Sequence, residues 1–478
     1  MRRCAGSAGT PTSGTRPQVR WRVTTARSRC RTEGTGMPAW LDTLAAFAAD
    51  FRLDTLPPAT IEQAGWVAID SVGAILGGAA EPEMVALSAR LAEDEPGESP
   101  ILGFARCAAP ATAAFLNGAA GTFLEMDEGN RFARGHPAIH VLPAILAIAA
   151  RRRLPGRAAL EALVLGYEIG ARVGIAANLR PSMHPHGTWG TVGAAAAIAR
   201  LRGFDAARMA ETLNVASSLT LASSKRTMLE GGTVRNAYAG VSNRLGLLAI
   251  DLVDAGFCGE RDGLTSVFGS VVSERFDSAR MIEGLGTGWQ IDRNYFKLHS
   301  CCRYNHGALD ALELVLARDS VAPEQVARVE VESYLYAAEL DDPEPRNTLG
   351  AKFSVPFAIA TRLVRGSTEV ENFTWDAVRD RRVLALAQRV SVREDKAMTA
   401  RLPAVRPARV ALTLTDGRTL EAAVEANRGD DQDPYSRDEL ATKYASLAAR
   451  VWPADRASRV RDRLLLLSAQ PNVATLFD

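Results

Sequence analysis

A long series of helical segments constrains the fold of this chain most strongly. From residue 38 to about residue 280, apolar residues recur at the spacing of amphipathic helices, and no pair of alternating strands interrupts them. Residues 188–201 are nearly all glycine and alanine, which suits a central helix that packs closely on its neighbours. The helices predicted in this part span 60–76, 111–123, 142–150, 157–178, 188–201, 206–221 and 236–255.

The pattern changes after Asn294. Residues 326–336 alternate as a half-buried strand does, and two further strand candidates flank Asp416-Gly417, a strong hairpin turn signal. The predicted strands span 326–336, 390–393, 408–415 and 418–424, with helices at 307–318 and 354–364 between them. Two more helices, at 436–449 and 457–468, follow a polar linker.

These patterns predict a mostly helical protein with a smaller α+β domain. Residues 1–36 are rich in Arg, Thr, Ser and Gly without apolar periodicity, which predicts a disordered extension or a wrongly assigned upstream start codon. The predicted organisation is this extension, a helical domain over 37–293, an α+β domain over 294–427, and a linker with C-terminal helices over 428–478.

Composition excludes several functional classes. The net charge of +1 creates no field that attracts nucleic acid or an acidic membrane. No apolar run reaches the roughly 18 residues of a membrane-spanning helix. Six cysteines show neither the density of a disulfide framework nor a CxxC pair, so we expect a cytoplasmic protein.

One polar loop between two apolar helices concentrates ionisable side chains. It contains Glu125, Asp127, Glu128, Arg134 and His136. Flanking helices hold such a loop in place while its side chains stay reachable, which is a common setting for catalytic groups. The structural alternative is a solvated turn with a helix cap.

The six histidines form three short clusters in polar segments broken by Gly or Pro. The pairs are His136 with His140, His184 with His186, and His299 with His306. Histidine is the natural proton carrier near neutral pH, so the clustering predicts one composite site.

The segment containing His184 and His186 lies before the small-residue helix, whose N-terminus favours an anion. Plain N-capping by Thr188 is the structural alternative. The two histidines can also bind metal, but no HExxH motif or cysteine–histidine set completes a ligand shell, so no metal is predicted.

Two further segments supply cations. Arg235 and Asn236 follow a glycine-rich turn and are placed to clamp a carboxylate. That turn lacks the Lys-Ser/Thr of a phosphate loop. Residues 295–306 carry Lys297, His299 and Arg303, which we expect to form a polar wall that binds anions; they also carry Cys301 and Cys302, for which no neighbour specifies a nucleophilic role.

Histidines, a lysine and arginines around one cleft, without a cofactor loop, indicate acid–base chemistry on a small, multiply charged acid. A base removes a proton beside a carboxylate, and cations hold the developing charge. Loss of water, loss of carbon dioxide and inversion at the α-carbon all share this scheme.

From about residue 38 onward, the chain resembles the MmgE/PrpD family, which includes 2-methylcitrate dehydratase, cis-aconitate decarboxylase and iminodisuccinate epimerase. The order and spacing of several short motifs carry the resemblance. They are Phe115-Leu-Asn-Gly118, Glu125-Met-Asp-Glu128, Gly135-His-Pro137, His184-Pro185, Gly190-Thr-Val-Gly193, Arg235-Asn236 and Phe296-Lys297.

The resemblance implies a helical domain completed by the C-terminal helices, with the α+β domain inserted as a lid and the site between them. It also implies a homodimer without a cofactor. In the decarboxylase branch, matching positions place catalytic groups at Asp127, His136, His184, Lys297 and Tyr336. The remaining candidates, expected to bind substrate, are Glu125, Glu128, Arg134, His186, Arg235, Asn236, His299 and Arg303.

This sequence departs from the decarboxylase and dehydratase pattern in two places. A lysine in the glycine-rich turn is replaced by Glu230 or a glycine, and a threonine of the acidic loop by Gly129 or Asn130. We therefore expect a dehydratase-like lyase that acts on a small hydroxylated di- or tricarboxylate. The alternatives are an epimerase of an α-substituted dicarboxylate, a decarboxylase, or a binding paralogue without catalysis.

Overall fold

The computed structural model describes residues 36–478, so the predicted extension lies almost wholly outside the described residues. The chain is mostly helical, as predicted, with a smaller α+β region. The α-helices are α1 (Ala39–Asp50), α2 (Pro58–Ala79), α3 (Pro82–Asp94), α4 (Pro110–Phe123), α5 (Leu142–Arg151), α6 (Gly156–Ala176), α7 (Gly190–Leu201), α8 (Ala206–Ser218), α9 (Arg226–Leu229), α10 (Tyr238–Asp254), α11 (Gly263–Ser266), α12 (Arg303–Arg318), α13 (Leu335–Ala338), α14 (Thr348–Lys352), α15 (Val355–Arg365), α16 (Trp375–Val378), α17 (Arg381–Ala387), α18 (Lys396–Thr399), α19 (Arg437–Ala448) and α20 (Ala454–Leu465). The strands are β1 (Ser99–Ile101), β2 (Arg106–Ala108), β3 (Gly129–Asn130), β4 (Ala177–Leu179), β5 (Ser273–Phe276), β6 (Asn294–Tyr295), β7 (Val326–Ser333), β8 (Val390–Glu394), β9 (Ala408–Leu414) and β10 (Thr419–Val424).

The small-residue helix α7 lies at the centre of the helical core, as its composition predicts. It packs against α6, α8 and α10. A Cβ atom added to Gly193 of α7 would lie 2.8 Å from the carbonyl oxygen of Gly166 in α6. Because that distance is too short for any side chain, glycine is what allows the two helices to approach so closely.

The C-terminal helices pack on the first part of the chain. Both α19 and α20 contact α2, and Leu440, Tyr444 and Leu464 are buried in the same core as the N-terminal helices. Lys443 of α19 forms a buried ion pair with Asp70 of α2. The last helices therefore help to build the support beneath the acidic loop.

A second core forms around a four-stranded sheet with the order β10-β9-β7-β8. The predicted hairpin is confirmed: β9 and β10 pair antiparallel across a turn in which Gly417 has φ of 89°. Strand β7 pairs antiparallel with β9 and parallel with β8, so Val331 lies between Val410 and Val392. Helices α12 and α15 pack on this sheet.

Several local predictions were wrong. The helical part contains short two-stranded ladders, β1 with β2 and β4 with β5, and β3 pairs with β6. Strands of two to four residues are too short to show a periodic signal. Thr188 does not cap α7; its hydroxyl donates to the carbonyl of Pro185, and α7 begins at Gly190 without a side-chain cap.

The described residues include four cysteines. Cys301 and Cys302 are free thiols, whereas Cys107 and Cys258 each belong to a disulfide, which the spacing of the cysteines did not indicate. Within residues 36–478, no helix is long and apolar enough to cross a membrane.

Candidate active site

The acidic loop is held rigidly from several sides. Glu125 and Arg134, near its two ends, both have φ of 55°, a left-handed conformation that costs energy in residues other than glycine. The Asn130 side chain accepts hydrogen bonds from the loop's own backbone. From below, Lys443 donates to the carbonyl of Met126 at 2.6 Å. Strained backbone held by surrounding structure is typical of functional sites.

The β3–β6 ladder brings a distant lysine to this loop. It pairs Gly129 with Tyr295 and so places Lys297 next to the acidic residues. The Nζ atom of Lys297, which is fully buried, lies 3.4 Å from Oδ1 of Asp127 and 3.7 Å from Oε2 of Glu125. This position makes Lys297 a fixed positive charge at the base of the site.

Asp127 in turn fixes His136. Its Oδ2 lies 3.1 Å from Nδ1 of His136, and the same nitrogen lies 2.7 Å from the carbonyl oxygen of Glu128. Burial by itself raises the pKa of Asp127, but the charge of Lys297, together with that of His136 when its ring is protonated, outweighs burial and holds that pKa well below its usual range. Asp127 is therefore ionised at neutral pH.

These contacts determine the tautomer of neutral His136. Both partners of Nδ1 are oxygen acceptors, so Nδ1 carries the proton and Nε2 is unprotonated. His136 lines a cleft, and Nε2 is the ring nitrogen left to contact a ligand there. The pair resembles the carboxylate–histidine arrangement of general bases.

His184 has the opposite tautomer. Its Nδ1 accepts a hydrogen bond of 3.0 Å from the backbone N–H of His186, so a neutral ring carries its proton on Nε2. Burial, and then the positive charge of Arg235, hold the pKa of His184 well below its usual range. His184 lines the same cleft and presents an N–H donor to it.

His186 lies between these two histidines, with ring centroids 4.5 Å from His136 and 5.1 Å from His184. Its Nε2 lies 3.3 Å from Nη2 of Arg235, which must be the donor. Arg235 also forms a buried ion pair with Glu125. Burial and the charge of Arg235 lower the pKa of His186, so this ring is neutral as well.

His140 supports the cluster from behind. Its Nδ1 lies 2.6 Å from the hydroxyl oxygen of Ser242, which itself donates to the carbonyl of Ala239. Burial lowers the pKa of His140 to about 3. A Cβ atom added to Gly190 would lie 2.6 Å from this ring, so glycine at the start of α7 is what leaves room for it.

Residues from the α+β part form the opposite wall of the cleft. Tyr336 stacks on Tyr304 with ring centroids 5.7 Å apart, and Lys225 lies over the Tyr336 ring. The other lining residues from this part include Cys302, Arg303, Phe353 and Arg406. Burial raises the pKa of Cys302 to about 12, so it is a neutral thiol rather than a nucleophile at neutral pH.

Most of the predicted site residues come together here: they either line the cleft or contact a residue that lines it. His136, His184, His186, Arg134, Arg235, Glu125, Arg303 and Tyr336 line the cleft, and Asp127 and Lys297 lie directly behind them. The two-residue ladder that joins the segments explains why positions 127 and 297 meet.

Three predicted substrate-binding residues lie outside the lining. The Glu128 carboxyl group accepts from the backbone N–H of Ala138 and from the Tyr167 hydroxyl, so it holds the loop. Asn236 is buried behind the wall, and its carbonyl accepts from Thr122. His299 pairs with the Thr368 hydroxyl at 2.5 Å, away from the cleft.

No sequence motif marks two of the lining residues, Lys225 and Arg406. Tyr295 and Tyr304 also line the cleft, and both belong to the polar segment 295–306 that was expected to form a wall of the site. Lys225 has one usable signal, since it is among the few lysines of an arginine-rich chain. Within residues 36–478, no group of three or more His, Cys, Asp or Glu side chains is arranged to hold a metal ion.

Comparison with known proteins identifies the relatives of this chain. Residues 42–273 match the MmgE/PrpD N-terminal domain, and residues 299–467 match the MmgE/PrpD C-terminal domain. The chain belongs to the MmgE/PrpD family. The two matched regions contribute the two walls of the cleft, with His136 and His184 on one side and Tyr336 on the other.

Two fungal members illustrate the similarity. A cis-aconitate decarboxylase from Aspergillus terreus is 23% identical over 462 residues, covering 90% of this chain and 94% of that protein. The cis-aconitate decarboxylase-like protein oryM from Aspergillus oryzae is 25% identical over 463 residues, covering 91% and 95%. The similarity to these MmgE/PrpD proteins therefore spans nearly the whole of each chain.

Proposed function

We propose that this MmgE/PrpD protein is a cofactor-independent lyase that removes water from a small hydroxylated di- or tricarboxylate by acid–base catalysis. The observation that carries the proposal is the opposite tautomers of two histidines in one cleft. His136 presents an unprotonated Nε2, and His184 presents an Nε2–H. Elimination of water needs one group of each kind.

His136 is the base in this scheme. Its Nε2 takes a proton from the carbon next to a substrate carboxylate, and the ring becomes an imidazolium. The ionised carboxylate of Asp127, 3.1 Å from Nδ1, stabilises that positive charge. The electron pair left on carbon is shared with the neighbouring carboxylate until the C–O bond breaks.

His184 is the acid. Its Nε2–H donates to the departing hydroxyl group, which leaves as water, and the electron pair forms the new carbon–carbon double bond. Because burial and the charge of Arg235 keep His184 neutral, the ring that gives up this proton becomes an imidazolate. The positive charge of Arg235 stabilises that anion until the proton taken up by His136 returns to it through the solvent. Lys297 and Arg235 supply fixed positive charge beside the site.

A second candidate reaction is decarboxylation, as in the named relatives. The names of those relatives support it, and Lys225 is compatible with it, because this lysine lines the cleft although the glycine-rich turn itself has none. The Glu230 that follows is exposed and pairs with Arg226, so it adds no negative charge to the cleft. The loss of the turn lysine therefore changes the charge of the cleft less than the sequence comparison suggested, because Lys225 lines the cleft and Glu230 does not.

Proton NMR in heavy water tests the proposal. The enzyme is incubated with 2-methylcitrate, citrate, cis-aconitate, malate and iminodisuccinate in turn. A new vinyl signal from a hydroxylated acid supports the hydro-lyase. Release of carbon dioxide from cis-aconitate instead establishes the decarboxylase, and loss of an α-proton signal without a new alkene establishes an epimerase. Dimerisation is a separate prediction that light scattering tests.

A further inference from the structure

A second cavity adjoins the cleft and is strongly basic. It has a volume of about 620 Å³ and shares Arg134, Tyr304, Tyr336 and Arg406 with the cleft. Its wall contains a single carboxylate, that of Asp277. The arginines around it are Arg131, Arg134, Arg275, Arg280, Arg293 and Arg406. Such a concentration of positive charge draws anions toward the cleft.

Arg406 lies where the two cavities meet and forms no ion pair within the described part of the chain. The side chain is buried, with a relative exposure of 4%. Its Nη2 donates to the carbonyl of Arg131 at 3.4 Å, and its Nη1 has no hydrogen-bond partner among residues 36–478. A buried cation without a counter-ion is costly, so a site of this kind is completed by a ligand.

The neighbouring charges do not fill this role. Asp430, the acid whose charge acts on Arg406, already pairs with Arg303 at 2.9 Å and lies 3.8 Å from Arg131, with which Asp431 also pairs. On the other side of the cleft, Glu125 forms ion pairs with Arg235 and Lys297. Because these carboxylates already pair with other cations, the guanidinium of Arg406 can form an ion pair with a bound anionic ligand.

The aromatic surroundings hold Arg406 in place. Its Cζ lies 5.7 Å from the Tyr295 ring centroid and 5.5 Å from that of Tyr304. Contact with aromatic rings stabilises a guanidinium without using its N–H donors. The N–H donors of Nη1 are thus left unused by the described residues.

We propose that Arg406 binds a substrate carboxylate remote from the reacting carbon, at the passage between the cleft and the arginine-lined cavity, and so selects a tricarboxylate. Arg134, which lines both cavities and forms no ion pair among the described residues, lies beside this position. The inference rests on the proposed function in taking the ligand to be a polycarboxylate. It assigns the subsite rather than the reaction.

Calorimetric binding of two unreactive acids tests this subsite. Tricarballylate has three carboxylates and no leaving group, and 2-methylsuccinate is the same skeleton without one terminal carboxylate. The Arg406→Met variant should bind tricarballylate roughly 10- to 100-fold more weakly than the wild type, and 2-methylsuccinate within about 3-fold. Arg275→Met, at the exposed rim of the same cavity, is the control and should change neither by more than about 3-fold.

Thermal unfolding without ligand separates binding from a structural role. Because the substitution removes a buried cation that forms no ion pair with the described residues, Arg406→Met should unfold at the same temperature as the wild type or higher. Three results would overturn the assignment. They are a marked fall in the unfolding temperature, an equal loss of affinity for both acids, and an unchanged affinity for tricarballylate. Neither acid can lose water, so this result is independent of whether the proposed reaction takes place.

Discussion

The Oδ2 atom of Asp127 lies 3.1 Å from Nδ1 of His136, and both side chains are buried at the base of the cleft. Lys297 approaches the other oxygen of the same carboxylate at 3.4 Å. This chain of contacts joins a loop of the helical part to the segment that opens the α+β part. The orientation of the proposed base therefore depends on both parts of the protein.

Asp127→Asn should lower kcat by about 100- to 10,000-fold, with a smaller change in KM. Asparagine keeps the size of the side chain but removes the charge that stabilises the His136 imidazolium. Steady-state kinetics with the substrate found by NMR provide the measurement. Asp277→Asn, in the adjoining cavity, is the control, and an Asp127→Asn enzyme with kcat within about 3-fold of the wild type contradicts the role.

His140, His184 and His186 should remain neutral as the pH is lowered from about 8.5 to the ordinary histidine pKa of 6.5, because burial lowers the pKa of each ring. Nitrogen-15 NMR of histidine-labelled protein tests this, and only six histidines need assignment. We expect the Nε2–H tautomer for His184 and the Nδ1–H tautomer for His186. Titration of either ring in this range would remove the basis for the acid assignment.

Glu128→Gln should make stability less dependent on pH. Burial raises the pKa of Glu128 from 4.5 to about 8. Between these values the folded protein keeps a proton that the unfolded chain loses, so the free energy of unfolding falls as pH rises. Glutamine removes this effect, and the melting temperature relative to the wild type should therefore rise between about pH 5 and pH 8.

Differential scanning fluorimetry across that pH range measures the Glu128→Gln effect. Glu230→Gln, at an exposed position paired with Arg226, is the matched control and should follow the wild type at every pH. A Glu128→Gln curve parallel to the wild type would mean that the carboxyl is already ionised in the folded protein.

Lys443→Met should destabilise the protein by about 3 kcal/mol, because it leaves Asp70 buried without its partner. It also removes the hydrogen bond to the Met126 carbonyl in the acidic loop. Chemical denaturation gives the loss of stability. The double variant Asp70→Leu with Lys443→Met should recover much of it, and no recovery would show that the ion pair itself is not the cause.

The sequence patterns that predicted structure well were long ones. The helix predicted at 60–76 is α2 (Pro58–Ala79), and the Asp416-Gly417 turn joins β9 to β10 as expected. The strand predicted over 326–336 ends earlier, at Ser333, and Tyr336 lies in the short helix α13. A single turn of helix carries too little periodicity to separate it from the end of a strand.

The sequence predicted the site residues that lie close together along the chain. It did not predict those that only folding brings to the site. The acidic loop and the histidine pairs stand out because charged and titratable residues are dense there. Arg406 does not, since its importance comes from being buried between two cavities without a counter-ion. Glu128 was wrongly predicted to bind substrate because it lies within the acidic loop. In the structure its carboxyl group bonds to Tyr167 and to the backbone of Ala138 and does not line the cleft.

The most direct measurement is the comparison of wild type, His136→Gln and His184→Gln in heavy water by proton NMR, following elimination and deuterium exchange at the α-carbon together. His136→Gln should lose both, since no base removes the proton. His184→Gln should lose elimination by about 100-fold or more while exchange continues. Full elimination by His136→Gln would contradict the central claim that this residue is the base.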